Sequence, residues 1–323
     1  MDTKFKYPAR PIRLWLFSLL AICLCLINLT GCTQHQEGKG VTLIAPIGDP
    51  PADTLIWSPV NSDQILITAA DVGFGDAQVF ILNTKTGQKL LLAETKHGAI
   101  MGDGWSADGK RAVLRAFPNT VGFEQGGLWS FRTDGSSWEF LKEGTDRIAW
   151  APDGKTIAAF IEIQNTATKD FQIGLLLTNI ELGTDMIINL PIKFGYPSGF
   201  SWSPDAQQLV FSSNKSEGQT HLFILDLRTS NIHQITTIGE NLQPSWSPNG
   251  NWIAYRSQTQ DGTNAFFYIN LIKPDGTCNT ELLKLKYVLS PTWSPDSKQL
   301  AYIGIDGIYM IDVDQYTRSI SCP

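Results

Sequence analysis

The apolar residues of this chain fall into short runs that are separated by turns rich in Pro, Asp, Asn and Gly. In runs such as Leu222–Leu225 and Phe266–Ile269 the apolar positions are consecutive rather than alternating, which is typical of strands that are covered on both faces. No segment after the first 32 residues has a convincing helical period. The pattern therefore predicts an all-β fold in which sheets pack side by side.

Six of the turns follow a tryptophan, and an apolar strand follows each turn. The intervals between successive tryptophans are 48, 45, 52, 44 and 47 residues. A repeat of this length carried by short strands is typical of a propeller with four-stranded antiparallel blades. We therefore predict a six-bladed β-propeller over residues 41–323, with a structural tryptophan between neighbouring blades in each repeat: Trp57, Trp105, Trp150, Trp202, Trp246 and Trp293.

The turn after each tryptophan reads Ser-Pro-Asp-Gly or a variant of it. Proline supplies a φ near −65°, aspartate can bond the local backbone, and glycine can take a positive φ. If these tryptophans are buried, replacing one with alanine should cost about 3–5 kcal/mol. The residue before the tryptophan is small in five copies and is expected to face the crowded region near the axis: Gly104, Ala149, Ser201, Ser245 and Thr292. Ile56 departs from this pattern.

The strands of one blade and the closure of the ring can also be placed. Four strands are predicted in the fourth unit: Pro197–Trp202, Gln208–Ser212, Thr220–Leu227 and Ile232–Thr237. In the last unit we expect Thr317–Cys322 to be the outer strand, with Val41–Pro46 lying against it and fastening the two ends together.

The repeated Trp-Ser-Pro-Asp-Gly followed by an apolar strand resembles the TolB-type propeller, over about Thr54 to Val313. The resemblance implies the fold and says little about function. TolB itself has an additional N-terminal α/β domain before its propeller, whereas only a short polar segment precedes the first unit here. Partner binding through that domain is therefore not carried over.

The first residues have the features of a secretory signal. Four basic residues precede the apolar stretch Leu14–Leu29, and Leu-Thr-Gly then leads to Cys32. This segment resembles a bacterial lipoprotein signal, whose cysteine is acylated after cleavage. The alternative is a membrane-spanning anchor, but sixteen residues fall short of the ~18 that such a helix needs. We predict a signal peptide over residues 1–31 and a lipidated cysteine with its tether over 32–40.

The same resemblance implies where the protein goes. Thr33 follows the lipidated cysteine, and a residue other than Asp at that position implies the periplasmic face of the outer membrane, if the cell has one. Otherwise the expected place is the cell surface.

Charge and cysteine content narrow the possibilities further. Removal of residues 1–31 leaves 21 Lys and Arg against 30 Asp and Glu, a net charge of −9, which disfavours nucleic-acid binding. In an exported chain, the pair Cys278 and Cys322 predicts a disulfide, worth about 4 kcal/mol in the chain-entropy model. Two free buried thiols are the alternative.

Catalytic signatures are weak in this sequence. His97, His221 and His233 do not occupy equivalent positions of the repeat, and His35 lies in the tether. The runs Asp71–Asp76 and Asp261–Asn264 could hold calcium, but ordinary turn chemistry explains both. We therefore predict no metal, no cofactor and no catalytic residue.

The starts of the inner strands offer a mixed polar and aromatic rim for binding. The candidate residues are Asp103, Asp146, Arg147, Tyr196, Glu240, Asn241, Gln243 and Tyr287. The longest connections at the same end are Phe117–Gly127, Gln164–Phe171 and Gln258–Asn264. Aromatic and Arg side chains commonly anchor protein interfaces, so this rim suits a peptide or a protein edge.

Three functions remain open at this point. The first is a membrane-tethered, monomeric, non-enzymatic binding or scaffold module that recognises an envelope protein, peptide or glycan at the channel mouth. The second is a metal-assisted carbohydrate lyase or hydrolase, which requires carboxylates such as Asp103 and Asp146 to converge with a histidine near the axis. The third is a purely structural spacer.

Overall fold

The structure is a computed structural model of the 323-residue chain. It describes residues 40–46, 52–70, 76–95, 100–117, 126–143, 148–164, 171–190, 195, 197–214, 219–261 and 264–317, all within the compact unit Gly38–Pro323. Twenty-four strands form six four-stranded antiparallel sheets, which confirms the predicted six-bladed propeller. No helix in this part of the chain has the length and apolarity that a membrane span requires.

Each blade is given from the channel outward. Blade 1 contains β2 (Ala52–Trp57), β3 (Gln64–Ala70), β4 (Ala77–Asn83) and β5 (Lys89–Thr95). Blade 2 contains β6 (Ile100–Trp105), β7 (Arg111–Ala116), β8 (Gly127–Arg132) and β9 (Trp138–Lys142). Blade 3 contains β10 (Ile148–Trp150), β11 (Thr156–Gln164), β12 (Phe171–Asn179) and β13 (Thr184–Asn189).

Blade 4 contains β14 (Gly199–Trp202), β15 (Gln208–Asn214), β16 (Thr220–Asp226) and β17 (Ile232–Gln234). Blade 5 contains β18 (Glu240–Trp246), β19 (Ile253–Asp261), β20 (Asn264–Ile272) and β21 (Thr280–Leu285). Blade 6 contains β22 (Leu289–Trp293), β23 (Gln299–Ile303), β24 (Gly307–Asp312) and β1 (Val41–Pro46).

The ring closes through its inner strands. Each inner strand contacts the inner strand of the next blade, and β22 contacts β2. Every inner strand ends at its repeated tryptophan, so all six tryptophans lie at one end of the channel. We call this the tryptophan end, and we call the opposite end, where the inner strands begin, the mouth end.

The closure differs from the prediction in one respect. Strand β1 pairs directly with β24, from Val41 opposite Ile311 to Pro46 opposite Gly307, and is itself the outer strand of blade 6. The expected outer strand at Thr317–Cys322 is wrong at its start, because Asp314–Thr317 forms a short helix, α1. The edge of β24 is thus already paired before the chain reaches Thr317. Residues 318–323 lie outside the described residues.

The predicted strands of blade 4 are confirmed with shifted ends. The first strand begins at Gly199 rather than Pro197, and the last ends at Gln234 rather than Thr237. Beyond Gln234 one more backbone bond runs from the Ile235 amide to the Leu222 carbonyl at 2.9 Å, and Thr236 Oγ1 then accepts a hydrogen bond of 2.8 Å from the Leu222 amide.

Apolar side chains fill every seam between blades. The run Leu222–Leu225 is buried throughout, because its two faces pack against different neighbours. In the run Phe266–Ile269, by contrast, only Ile269 is buried, and the three aromatic residues before it are partly exposed toward the mouth end. Consecutive apolar residues therefore mark blade strands correctly but do not show how far the packing extends along them.

Side-chain hydrogen bonds hold the repeated turns. In blade 4, Ser203 Oγ donates to Asp205 Oδ1 at 2.6 Å and accepts from the Gln208 amide at 2.9 Å. The same arrangement recurs in blades 2 and 6, and Asn249 takes the place of the aspartate in blade 5. The glycines that end three of these turns have the predicted positive φ: Gly109, Gly154 and Gly250. In blades 4 and 6 that position is held by Ala206 and Ser297, with φ of 57° and 61°.

Three tryptophans also link neighbouring blades by hydrogen bonds. The indole Nε1 donates to the carbonyl oxygen of the residue before the tryptophan of the preceding blade, at 2.9–3.0 Å. The pairs are Trp105 with Ile56, Trp202 with Ala149, and Trp293 with Ser245. The indoles of blades 2, 4 and 6 are thus bonded across their seams.

The other three seams are built differently. The Trp57 and Trp246 indoles donate within their own turns, and their backbone amides donate to the hydroxyls of Thr292 and Ser201 in the preceding blade. At the seam between blades 2 and 3, a glycine stands at the position of these hydroxyls. Trp150 is only partly buried, and its Nε1 is shielded from solvent without a partner among the described residues.

Candidate functional site

The structure brings two of the predicted rim residues to the mouth end, Glu240 at the start of β18 and Tyr287 just before β22. Asp103 and Gln243 lie further along their inner strands, two and three residues before the tryptophan, and all four are partly exposed. Asn241 is buried instead, and its side-chain amide donates to the carbonyl oxygens of residues 238 and 239 at 2.9 Å. The other candidates, Asp146, Arg147 and Tyr196, lie outside the described residues.

Asp103 is held by an arginine that the sequence analysis missed. Arg115 on β7 is buried, and its Nε lies 3.1 Å from Asp103 Oδ2. Its Nη2 donates to Asp103 Oδ1 at 3.3 Å, and its guanidinium lies 5.1 Å from the centre of the Phe117 ring. Asp103 is thus neutralised by a charge of this chain. A carboxylate in that state is a poor metal ligand and a poor general base.

A second arginine, Arg256 on β19, lies in the seam between blades 5 and 6. Its guanidinium lies 5.4 Å from the centre of the Phe267 ring, and its Nη1 donates to the Val288 carbonyl at 3.5 Å. Its Nε is shielded from solvent and has no hydrogen-bond partner among the described residues. Burial lowers the pKa of Arg256, and this is opposed by the nearby Tyr287 and Glu240.

Tyr287 is the third residue of the cluster that contains Arg256 and Phe267. Its ring meets the Phe267 ring edge-on, with 6.2 Å between the centroids. Burial raises the pKa of the Tyr287 hydroxyl, and the carboxylate of Asp53 raises it further. The hydroxyl is therefore a neutral donor near neutral pH.

Two strained residues link the inner strands beside this group. Gln243 and Ser290 each stand three residues before a tryptophan, in bulged strands, with φ of 52° and 51°. Gln243 Oε1 accepts from the Ser290 amide at 3.1 Å, and Ser290 Oγ donates to the Asp53 carbonyl at 3.2 Å. Left-handed backbone at non-glycine residues is costly and concentrates at functional sites. These bonds tie blades 5, 6 and 1 together at the channel.

Two exposed aliphatic side chains lie at the mouth end of blades 5 and 6. Ile238, just before β18, is 84% exposed, and Ile305, in the hairpin from β23 to β24, is 64% exposed. The antiparallel order of the strands places both residues at the mouth end. We use the name blade 5–6 rim for Ile238, Arg256, Tyr287 and Ile305 together with Gln243.

The histidines do not form a site in the part of the chain that the structure describes. His221 Nδ1 lies 3.4 Å from the Asn241 side-chain nitrogen, and His233 is exposed on an outer strand. His97 and most of both candidate calcium runs lie outside the described residues. Among the described residues, no three His, Cys, Asp or Glu side chains come together as metal ligands.

The two missed arginines left a signal in the sequence. Arg115 interrupts the apolar run Ala112–Ala116, Arg256 ends the apolar run Ile253–Tyr255, and each stands ten residues after its tryptophan. A charge inside a strand that is covered on both faces must be paired or must be used. That criterion would have selected both residues.

Comparison with known proteins agrees with the fold. A family model for the TolB beta propeller domain matches residues 127–272. The Tol-Pal system protein TolB of Hahella chejuensis is 39% identical over 72 residues, which are 21% of this chain and 17% of that relative. The match therefore spans about a sixth of the relative's length.

Solved structures give the same result over more of the chain. A putative TolB from Agrobacterium tumefaciens superposes with a TM-score of 0.61 and 18% identity, over 82% of this chain and 91% of that one. A gluconolactonase from Xanthomonas campestris superposes with a TM-score of 0.59 and 14% identity, over 84% and 89%. Identities this low show the fold alone. The chain has a six-bladed β-propeller fold like that of TolB.

Proposed function

We propose that this propeller is a non-enzymatic binding or scaffold module of the cell envelope and that its mouth end recognises a protein or peptide. The observation that carries the proposal is that the blade 5–6 rim combines the partly exposed Arg256 and Tyr287 with Ile238 and Ile305, which are 84% and 64% exposed. Tyr and Arg side chains are enriched in protein interfaces and often carry much of the binding energy.

The blade 5–6 rim is also built to hold its shape. The bond from the Ser290 amide to Gln243 and the bond from Ser290 to Asp53 fix three neighbouring inner strands at the channel. A preorganised surface loses little conformational entropy when a partner binds. This rigidity supports recognition at the mouth end over a purely structural spacer.

The envelope location is proposed from the N-terminal sequence. The basic start, the apolar stretch and Cys32 support export and lipidation, with the segment 33–40 as a short tether. The test is incorporation of labelled palmitate by the wild-type chain and by Cys32→Ser. Label in the wild type alone supports the anchor, and absence of label from both contradicts it.

The enzyme alternative is less well supported. It requires Asp103 to act as a metal ligand or base, whereas Asp103 is paired with Arg115. The fold does not decide the matter, since the propeller is shared with a gluconolactonase. Native mass spectrometry with metal analysis is the discriminating measurement, because a stoichiometric bound metal would favour the enzyme.

Photo-crosslinking from the two ends of the channel tests the proposal. A photoreactive amino acid is placed at Ile238, at Ile305 or at Val60 in the full-length chain, in its native cells. Val60 is the matched control, an aliphatic residue that is 60% exposed at the tryptophan end. We expect a discrete crosslinked partner from positions 238 and 305 and none from 60. Equal crosslinking from both ends, or none from the mouth end, would contradict the proposal.

A further inference from the structure

Arg256 and Arg115 occupy the same place in two different blades. Each stands ten residues after the tryptophan of its repeat and is paired in register with the residue four before that tryptophan, Leu242 or Met101. Each guanidinium also lies beside a phenylalanine ring, at 5.4 and 5.1 Å. Blades 2 and 5 therefore place an arginine at the same position of the repeat, next to a phenylalanine ring.

The two arginines differ in their counter-charge. In blade 2, Asp103 stands two residues before the tryptophan and pairs with Arg115. In blade 5 the corresponding residue is Pro244, which is uncharged. Among the described residues, Arg256 has no carboxylate within ion-pair distance and donates only a long hydrogen bond of 3.5 Å, to Val288.

Such an arginine favours an anion from outside the chain. Removing a cation from water is costly unless a counter-charge and hydrogen bonds compensate for it. Glu240 acts on Arg256 only from beyond ion-pair distance. Arg256 is also partly exposed, whereas the paired Arg115 side chain is 5% exposed, so an external group can reach Arg256.

The surroundings of Arg256 fit a peptide better than a sugar acid. Sugars stack on free aromatic faces, but the phenyl ring nearest to Arg256 is already engaged by the guanidinium and by Tyr287. The rest of the blade 5–6 rim includes the exposed Ile238 and Ile305 and the partly exposed Tyr287. Aliphatic and aromatic anchors at the same end of the channel as a cation suit an apolar peptide segment that carries a carboxylate.

We infer that Arg256 is the receptor for a peptide carboxylate, which takes the place that Asp103 fills in blade 2. The carboxylate belongs to an Asp or Glu side chain or to the C-terminus of the partner. This inference rests on the proposed function and names the chemistry that the blade 5–6 rim recognises.

The test measures the crosslink from Ile238 in the full-length chain, with and without changes at Arg256. Arg256→Gln should lower the yield about tenfold or more, because a charged hydrogen-bonded pair is lost. Arg256→Lys should keep part of the yield. The charge remains, but the planar guanidinium, which can donate two parallel hydrogen bonds to a carboxylate, is lost. Arg228→Gln, an exposed arginine at the tryptophan end, is the matched control and should change nothing.

Pro244→Asp is the second variant and keeps Arg256 in place, although Pro244 is itself buried. It supplies a carboxylate at the position that Asp103 holds in blade 2 and should suppress the crosslink in a protein that a cooperative melting transition shows to be folded. It therefore keeps the inference testable if Arg256→Gln fails to fold.

Competing peptides then identify the source of the carboxylate. The peptide competitors are acetyl-Ile-Glu-Ile-amide, acetyl-Ile-Gln-Ile-amide and acetyl-Ile-Gln-Ile with a free C-terminus. Glucuronic acid is the sugar-acid competitor. Competition by the first but not the second supports a side-chain carboxylate, and competition by the third but not the second supports a C-terminus.

Two results would overturn the inference while the proposed function stands. One is a wild-type crosslink that neither Arg256→Gln nor Pro244→Asp reduces. The other is competition by glucuronic acid alone. A wild-type chain that gives no crosslink from Ile238 would overturn the proposed function as well.

Discussion

The indole Nε1 of Trp293 donates a hydrogen bond of 3.0 Å to the carbonyl oxygen of Ser245, across the seam between blades 5 and 6. Blades 2 and 4 use the same bond, whereas blades 1 and 5 use a hydroxyl from the preceding blade. The repeated tryptophan is therefore a filler of the seam and also a donor across it. This gives the repeated tryptophans a structural role at their end of the channel.

The seam between blades 2 and 3 can be strengthened. Gly104 stands where Ser201 and Thr292 accept a bond from the next tryptophan amide, and a Cβ added at Gly104 would lie 3.7 Å from its nearest contact, Trp150 Cβ. We expect Gly104→Ser to raise the free energy of unfolding by about 1 kcal/mol more than Gly104→Ala, because only serine adds an acceptor. Chemical denaturation measures the difference. Equal gains for the two variants would show that the hydroxyl contributes nothing.

Ala206 carries backbone strain that glycine would relieve. Its φ of 57° lies in the left-handed region that glycine occupies in three other repeats, with φ of 68–78°, and left-handed backbone costs a residue with a Cβ about 1–2 kcal/mol. We expect Ala206→Gly to stabilise the protein, with the gain reduced by the loss of a partly buried methyl group.

Ser297 is the matched position for the Ala206 prediction. It has the same φ, but its Oγ accepts a bond of 3.0 Å from the Asn249 amide of the preceding blade. Ser297→Gly should therefore gain less than Ala206→Gly in thermal unfolding. A larger gain at Ser297 would show that strain does not govern this turn.

Acid should weaken the repeated turns. The hydrogen bond from Ser203, followed by the bond from the Gln207 amide, lowers the pKa of Asp205 below its ordinary value. A carboxylate whose pKa is depressed by folding stabilises the protein above its unfolded pKa of about 4, and this contribution is lost as the pH falls through the folded pKa.

Asp205→Asn tests this pH dependence, because Asn249 already holds the same position in blade 5 and does not titrate. Between about pH 5 and pH 3, the variant should lose less stability than the wild type. Denaturation midpoints at several pH values measure the effect. Parallel curves for the two proteins would contradict it.

The predicted disulfide is open to a direct test. Cys278 is disulfide-bonded, and the pairing with Cys322 stays a prediction because Cys322 lies outside the described residues. Cys322→Ser should cost up to about 4 kcal/mol, and adding Cys278→Ser should cost little more. Peptide mapping without reduction identifies the bridge. Alkylation of Cys322 in the native, unreduced protein would exclude it.

Much of the fold could be predicted from local chemistry. The evenly spaced tryptophans, the turn residues and the continuous apolar runs each report on short-range structure, and the six blades follow from them. The closure of the ring could not be predicted in the same way. It depends on whether Val41–Pro46 or the C-terminal segment reaches the edge of β24 first, and this is a competition between segments distant in sequence.

The rim was only partly predictable. Chain direction places Glu240 and Tyr287 at the mouth end, where β18 and β22 begin, and a role of these residues in binding stays a prediction. Reading polar residues as surface residues failed for Asn241 and gave no indication that Asp103 is paired. Neither arginine follows from the starts of inner strands or from the connections, because both lie inside the second strands of their blades, β7 and β19.

The most direct test of the division between a structural tryptophan end and a recognising mouth end is a comparison of Trp105→Phe with Trp150→Phe. The first loses the bond to the Ile56 carbonyl, and the second removes an N–H that has no partner among the described residues. Trp105→Phe should cost about 1–3 kcal/mol more in denaturant unfolding, and neither variant should alter the crosslink from Ile238 while it remains folded. Equal costs at the two positions, or loss of the crosslink in a folded variant, would contradict the account.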